Sequence, residues 1–120
     1  MNIYTVIGAR PQFIKAAVIS NEISKTQETD NKIYETIIHT GQHYDQNMSE
    51  NFFEELLIPK PKYNLGIGGG THGENTGKMI QSIEKILLEK KPDFLLVYGD
   101  TDSTLAGSIA ASKLQIPILY

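Results

Sequence analysis

Two positively charged side chains follow the first apolar segment of the chain. Arg10 comes just after the run over residues 3–7, and Lys15 follows about one helical turn later. Pro11 suits the first turn of a helix, where its missing N–H removes no hydrogen bond. Two cations beside the positive end of that helix would attract an anion, which predicts a pocket for a phosphate or diphosphate. The alternative for Lys15 is a stem that passes the core and leaves its ammonium in solvent.

Polar side chains also follow the second and third apolar segments. The second is followed by Gly41-Gln42-His43-Tyr44-Asp45 and the third by Gly99-Asp100-Thr101-Asp102. Asp100 stands where the apolar run ends, which is the expected place for a catalytic carboxylate in a parallel sheet. The structural alternatives are a polar loop with a helix cap at Asp45, and an Asp100 or Asp102 that only caps the next helix. Of these two, Asp102 is the better placed cap, and Ser103 can serve as well.

Strand-like and helical segments alternate along the chain. Strands are predicted over residues 3–7, 33–40, 94–98 and 116–120, and helices over 11–24, 47–57, 74–90 and from 102 onward. The helix over 74–90 is the clearest, because apolar residues repeat on one face: Ile80, Ile83, Ile86 and Leu87. The alternation predicts parallel βαβ units and a Rossmann-like α/β sheet with flanking helices. The three polar clusters then share one rim, which indicates a cleft for a small phosphorylated ligand.

Composition excludes several classes of function. The 120 residues contain no cysteine, which rules out disulfides and thiolate metal sites. A net charge of −3 gives no sign of general nucleic-acid binding. No segment approaches the length of a membrane span, and the N-terminus lacks the basic start and apolar run of a signal peptide. We therefore expect a cytoplasmic protein.

Two glycine patterns resemble nucleotide-binding motifs without meeting their requirements. Gly77-Lys78 is followed by Met79, whereas a P-loop has a Ser or Thr there to bind magnesium. The turn after the first segment lacks the G-x-G-x-x-G pattern of a dinucleotide site. No metal site is predicted, since no two of the histidines lie together on a predicted helix: His39, His43 and His72.

Three stretches of the chain carry a resemblance to a known family. They are Gly8-Ala9-Arg10-Pro11-Gln12-Phe13-Ile14-Lys15, Thr40-Gly41-Gln42-His43-Tyr44-Asp45, and Tyr98-Gly99-Asp100-Thr101 with Ser103-Thr104-Leu105-Ala106-Gly107. In this order and spacing they resemble the non-hydrolysing UDP-N-acetylglucosamine 2-epimerases over essentially the whole chain. The resemblance implies the GT-B architecture, two Rossmann-like domains with the active site between them. Residues 1–120 would be a truncated N-terminal domain without the second domain, which agrees with the strand-like end of the sequence.

The resemblance also implies an isomerase that needs no redox cofactor. UDP would be eliminated across C1 and C2 of UDP-N-acetylglucosamine and re-added with C2 inverted, which gives UDP-N-acetylmannosamine. Asp100 resembles the family's catalytic aspartate, and Arg10 and Lys15 resemble its basic pair, which would hold the diphosphate. Gln42 and His43 resemble residues that contact a second, regulatory UDP-sugar molecule in bacterial members.

The remaining expectations concern substrate and assembly. Thr101, next to the catalytic position, is expected to contact the substrate, and the full-length enzyme is expected to be a homodimer without membrane or nucleic-acid partners. Tyr120 stands where many relatives have His, and Asp102 where Thr or Asn is usual. The alternatives are a GT-B glycosyltransferase, an epimerase of a more modified UDP-sugar, or a non-catalytic module that binds nucleotide sugars.

Overall fold

A computed structural model describes residues 1–8, 10–26, 30, 32–41, 61–99 and 101–120, with residues 10–13 described by their backbone alone. Within these ranges the strands are β1 (Asn2–Ile7), β2 (Tyr34–His39), β3 (Tyr63–Asn64), β4 (Phe94–Val97) and β5 (Ile118–Leu119), and the helices are α1 (Arg10–Lys25), α2 (His72–Glu89) and α3 (Asp102–Lys113). The strands form one sheet in the order β3-β2-β1-β4-β5, with every neighbouring pair parallel. The predicted Rossmann-like α/β fold is confirmed.

The strand β3 was not predicted from the sequence. It exists through pairing with β2, because the N–H of Lys62 donates to the carbonyl of Ile37 at 3.0 Å and the N–H of Leu65 to that of His39 at 2.8 Å. A segment this short has no period of its own to reveal it. The helix predicted over 47–57 lies outside the described residues.

Helix α2 begins two residues before its predicted start. Thr71 is its N-cap, and the Thr71 side chain accepts a hydrogen bond from the N–H of Glu74. Lys91, just after this helix, donates from its Nζ to the carbonyl of Leu114 at 3.1 Å, at the end of α3.

One face of the sheet carries the apolar core. Tyr4 and Val6 of β1 point to this face, and α2 and α3 cover it. The buried side chains of the cluster are Tyr4, Val6, Ile38, Ile67, Met79, Ile83, Ile86, Leu87, Leu95, Val97, Ala106, Ala110, Ala111 and Ile116. A Cβ on Gly107 would lie 3.3 Å from Leu95 and 3.4 Å from Val6, so α3 packs closely against the sheet at this residue.

The opposite face receives α1. Thr5, which alternates with Tyr4 and Val6 along β1, bonds to Glu35 of β2, and Glu35 bonds to Ser20 of α1. This face therefore has a polar centre. None of the helices in the described part of the chain is long and apolar enough to cross a membrane.

Candidate functional site at the carboxyl ends of the strands

The start of α3 is fixed by threonine side chains. Thr101 is its N-cap, and its Oγ1 accepts a hydrogen bond from the N–H of Thr104 at 3.4 Å. The Oγ1 of Thr104 in turn donates to the carbonyl of Tyr98 at 2.6 Å, which ties the helix to the end of β4. The prediction that Asp102 or Ser103 caps this helix was wrong. Asp100 lies outside the described residues.

Asp102 takes a different role from the predicted cap. Its Oδ2 lies 2.7 Å from Nδ1 of His72, so the pair joins the starts of α2 and α3. The hydrogen bond to Asp102 and then its charge raise the pKa of the exposed His72 imidazole. Sequence reasoning weighed His72 only as a metal ligand and missed this pair, because the two residues are 30 positions apart.

Ser103 joins α3 to the end of β2 inside the protein. Its Oγ lies 2.8 Å from Oγ1 of Thr40, and both side chains are fully buried. The Ser103 hydroxyl also lies 3.9 Å from the sulfur of Met79 in α2. The contact therefore joins the end of β2 to the first turn of α3. The predicted residues Gln42 and His43 lie outside the described residues.

The turn at Gly41, directly after β2, requires glycine. Its φ is +85°, and a Cβ there would lie 2.8 Å from the nitrogen of Ile67. The N–H of Gly41 donates to Nδ1 of His39, and the N–H of Ile67 donates to the carbonyl of Thr40, both at 2.8 Å. The backbone after β2 is therefore packed directly against the glycine-rich loop after β3.

His39 is a buried, neutral base beneath that turn. Only 2 % of the residue is exposed, and burial lowers the pKa of its imidazole. Since Nδ1 accepts a hydrogen bond from Gly41, the ring proton of the neutral form resides on Nε2. Sequence reasoning considered His39 only as a possible metal ligand. No group of three or more His, Asp or Glu side chains in the described ranges could hold a metal ion.

The start of α1 lies at the carboxyl end of β1. The helix begins at Arg10, whose side chain is outside the description, and the Lys15 side chain is exposed. The apolar side chains near it are also exposed, with Ile14 at 54 % and Val18 at 64 %. Lys15 therefore lies on an exposed part of α1, and its assignment to an anion pocket and the solvent-exposed alternative both stay predictions.

A shallow depression of about 390 Å³ lies beside the start of α3. Its lining combines three aliphatic hydroxyl side chains with a leucine and a tyrosine ring, and consists of Gly99, Thr101, Thr104, Leu105, Ser108 and Tyr120. Gly99 and Thr101 flank position 100 in the chain. Thr101, a predicted substrate contact, is thus both a helix cap and part of this lining.

Comparison with protein-family models identifies the group to which the chain is related. The model described as UDP-N-acetylglucosamine 2-epimerase matches residues 25–120. The chain belongs to the UDP-N-acetylglucosamine 2-epimerase family. This confirms the resemblance on which the assignment of Asp100, Arg10 and Lys15 depends, although their individual roles stay predictions.

Curated relatives of this epimerase family match the chain from end to end. It is 59% identical to UDP-2,3-diacetamido-2,3-dideoxy-D-glucuronate 2-epimerase of Pseudomonas aeruginosa, over 100% of this chain and 33% of that protein. It is 51% identical to UDP-N-acetylglucosamine 2-epimerase of Methanocaldococcus jannaschii, over 100% of this chain and 31% of that protein. The chain thus spans about a third of the length of these relatives.

Solved structures of family members have the same fold. The M. jannaschii epimerase in complex with UDP-GlcNAc and UDP superposes with a TM-score of 0.85 at 52% identity, over 98% of this chain and 31% of that chain. The Neisseria meningitidis epimerase bound to UDP-GlcNAc superposes with a TM-score of 0.84 at 35% identity, over 98% of this chain and 30% of that chain. These likenesses confirm the predicted fold, a Rossmann-like sheet of the GT-B epimerases.

Proposed function

We propose that this chain is the N-terminal domain of a non-hydrolysing UDP-N-acetylglucosamine 2-epimerase, which interconverts UDP-N-acetylglucosamine and UDP-N-acetylmannosamine. The observation that carries the proposal is the likeness to the M. jannaschii epimerase, which is 52% identical and whose structure contains UDP-GlcNAc and UDP. A second domain would close the cleft above the carboxyl ends of the strands. The described rim supports this arrangement, because the starts of α1 and α3 and the Gly41 turn all lie at that edge.

The reaction needs a base for the C2 proton and cations for the leaving diphosphate. Asp100 removes the proton from C2 while the C1–O bond breaks, and UDP leaves with the electron pair of that bond. Arg10 and Lys15 stabilise the charge of the departing diphosphate. UDP then adds back to C1 of the glycal, and a proton returns to the opposite face of C2.

The depression beside α3 suits part of a sugar nucleotide. Hydroxyl groups of Thr101, Thr104 and Ser108 offer hydrogen bonds, and the side chains of Leu105 and Tyr120 offer apolar contact. The Oγ1 atoms of both threonines already serve the start of α3, as acceptor at Thr101 and donor at Thr104. Within this lining, Ser108 and the predicted contact Thr101 are the groups that would meet the substrate.

A second substrate is favoured by one observation. The P. aeruginosa relative, at 59% identity, is named for UDP-2,3-diacetamido-2,3-dideoxy-D-glucuronate, a more modified sugar. Its epimerisation also inverts C2, so the same base and cations would serve. Parallel assays of the full-length protein with both UDP-sugars decide between them: the substrate with the higher kcat/KM is the one that the site is built for.

The test of the mechanism is exchange of the C2 proton with deuterated water, followed beside UDP release. In the full-length enzyme Asp100→Asn should lower exchange by about 10²–10⁴-fold and leave substrate binding intact. Lys15→Ala and Arg10→Ala should weaken both kcat and affinity, because they remove charge from the diphosphate site. Matched controls are Asp30→Asn and Lys25→Ala, both exposed and away from the rim. Exchange at the wild-type rate in Asp100→Asn would show that another group is the base.

Further parts of the proposal concern regulation and assembly. Gln42 and His43 would bind a second UDP-sugar, so Gln42→Ala should reduce activation by substrate without abolishing turnover.

We expect a cytoplasmic homodimer for the full-length enzyme. We also expect residues 1–120 alone to be inactive, because half of the cleft would be missing. Turnover by the purified 120-residue chain would contradict this expectation.

A further inference from the structure

Glu35 is a carboxylate at the centre of the sheet face that α1 covers. Its Oε2 accepts a hydrogen bond from Oγ1 of Thr5, and its Oε1 accepts one from Oγ of Ser20, both at 2.6 Å. Both donor residues are buried, with Thr5 0% and Ser20 2% exposed. One acidic side chain therefore joins β1, β2 and α1.

Stability alone does not require a charge at this position. Partial burial of a carboxylate is costly unless hydrogen bonds compensate it, and well-packed apolar side chains often serve a fold as well or better. Apolar neighbours are present on the same face, since Ile3, Ile7 and Ile37 are buried there. What the carboxylate adds is direction: each of its oxygens fixes a donor at one distance and angle.

Helix α1 needs such a fixed point, because little apolar packing holds its described side chains, those of residues 14–25. Among them the buried ones are Ala16, Ala17, Ser20 and Ile23, of which only Ile23 is a large apolar side chain. Its larger apolar residues in the same stretch, Ile14, Val18 and Ile19, are 54%, 64% and 40% exposed. A helix held by alanines can slide or rotate on a sheet at low cost, whereas a short hydrogen bond from Ser20 to Glu35 defines one position.

The helix so fixed carries the predicted cations. Lys15 precedes Ser20 by about one and a half turns, and Arg10 opens the helix. A rigid helix transmits the position of Ser20 to these residues at the carboxyl end of β1. The carboxylate also acts on a third element, because Tyr98, at the end of β4 before Asp100, has its pKa raised by burial and then by the charge of Glu35.

We propose that Glu35 is a positioning residue for the proposed epimerase reaction, and that it holds α1 through Ser20 so that Arg10 and Lys15 stay at the diphosphate. The inference rests on the proposed function. Glu35 itself touches no substrate in this proposal. Its effect reaches the reaction through the placement of the two cations.

The experiment compares paired variants of the full-length enzyme. Glu35→Gln replaces one acceptor oxygen with an amide nitrogen, which cannot accept, and Ser20→Ala removes the donor on α1. The matched controls are Glu22→Gln and Ser24→Ala, the same changes on the exposed side of α1. We expect kcat/KM to fall at least about tenfold in the first pair, as for loss of a hydrogen bond to a charged group. The controls should remain within about twofold.

A double-mutant cycle separates positioning from a general loss of stability. In the Lys15→Ala background, part of what Glu35 positions is already gone, so Glu35→Gln should cost clearly less in kcat/KM than in the wild type. A purely structural effect would be equal in both backgrounds. Equal effects, or wild-type kcat/KM in a folded Glu35→Gln variant, would overturn the inference. If Glu35→Gln fails to fold, Ser20→Ala carries the same cycle.

Binding of UDP, measured by calorimetry, distinguishes failure of this inference from failure of the proposed function. If the wild type binds UDP but epimerises neither UDP-sugar, the proposed function is wrong. The double-mutant cycle then compares the dissociation constants of UDP in place of kcat/KM. Weaker binding in Glu35→Gln, with less weakening in the Lys15→Ala background, then supports the positioning role. A wild type that does not bind UDP contradicts both.

Discussion

The two faces of the sheet are attached to their helices in different ways. On one face α2 and α3 bury a continuous apolar cluster that includes Val6, Ile83 and Leu87. On the other, α1 contributes small side chains and a hydrogen bond from Ser20 to Glu35. Apolar burial is strong but has no direction, whereas a hydrogen bond is weak in net terms but fixes geometry. We infer that the first face stabilises the domain and that the second places the helix carrying Arg10 and Lys15.

The largest expected effect tests the apolar face. Ile83 is fully buried between α2 and the sheet, so Ile83→Ala in the full-length protein should lower the free energy of unfolding by about 2–5 kcal/mol. Urea denaturation measures it. Leu88→Ala is the control, because this neighbouring side chain is 60% exposed and its loss should cost at most about 0.5 kcal/mol. Similar losses for both variants would mean that α2 does not bury the face described.

Intermediate effects are expected from two opposite Thr/Val substitutions at adjacent residues of β1. Thr5→Val removes the donor to Oε2 of Glu35, so the free energy of unfolding should fall by about 1–3 kcal/mol. Val6→Thr makes the reverse exchange on the apolar face, where the new hydroxyl is buried beside apolar side chains, and should cost a similar amount. A stable Thr5→Val variant would show that the polar centre is dispensable, and the comparison between the faces would fail.

The smallest effect is a pH dependence of opposite sign at two histidines. Burial lowers the pKa of His39, so the folded state resists its protonation. Its contribution to stability is complete above the unfolded pKa of about 6.5 and is lost as the pH falls through the lower folded pKa. Asp102 raises the pKa of His72, whose contribution is present below about 6.5 and is lost as the pH rises through the raised folded value.

Melting temperatures between about pH 5 and 8 measure both dependences. His39→Gln keeps an acceptor for the N–H of Gly41 and should flatten the acid side of the curve. His72→Gln should change the alkaline side only slightly, because the His72 side chain is 92% exposed. If the melting temperature of His39→Gln falls toward acid pH as much as that of the wild type, groups other than His39 cause the fall.

Local patterns were enough to predict most of the framework. The alternation of apolar strands with helices gave a parallel α/β sheet, because each period follows from the geometry of one element. The apolar face of α2 was also predictable, because it depends only on residues that are neighbours along one helix. The family motifs added the roles of Asp100, Arg10, Lys15, Gln42 and His43, which stay predictions.

Contacts between distant residues were decided only by the tertiary structure. Strand β3 forms because its backbone pairs with that of β2. The pairs Thr40–Ser103 and His72–Asp102 join residues that are 63 and 30 positions apart. The Glu35 centre likewise collects Thr5 and Ser20 from 30 and 15 positions away. A hydroxyl or carboxylate in a sequence has many possible partners within reach, and the fold alone selects one. For that reason the sequence determined which elements form the rim, and the tertiary structure determined what holds them in place.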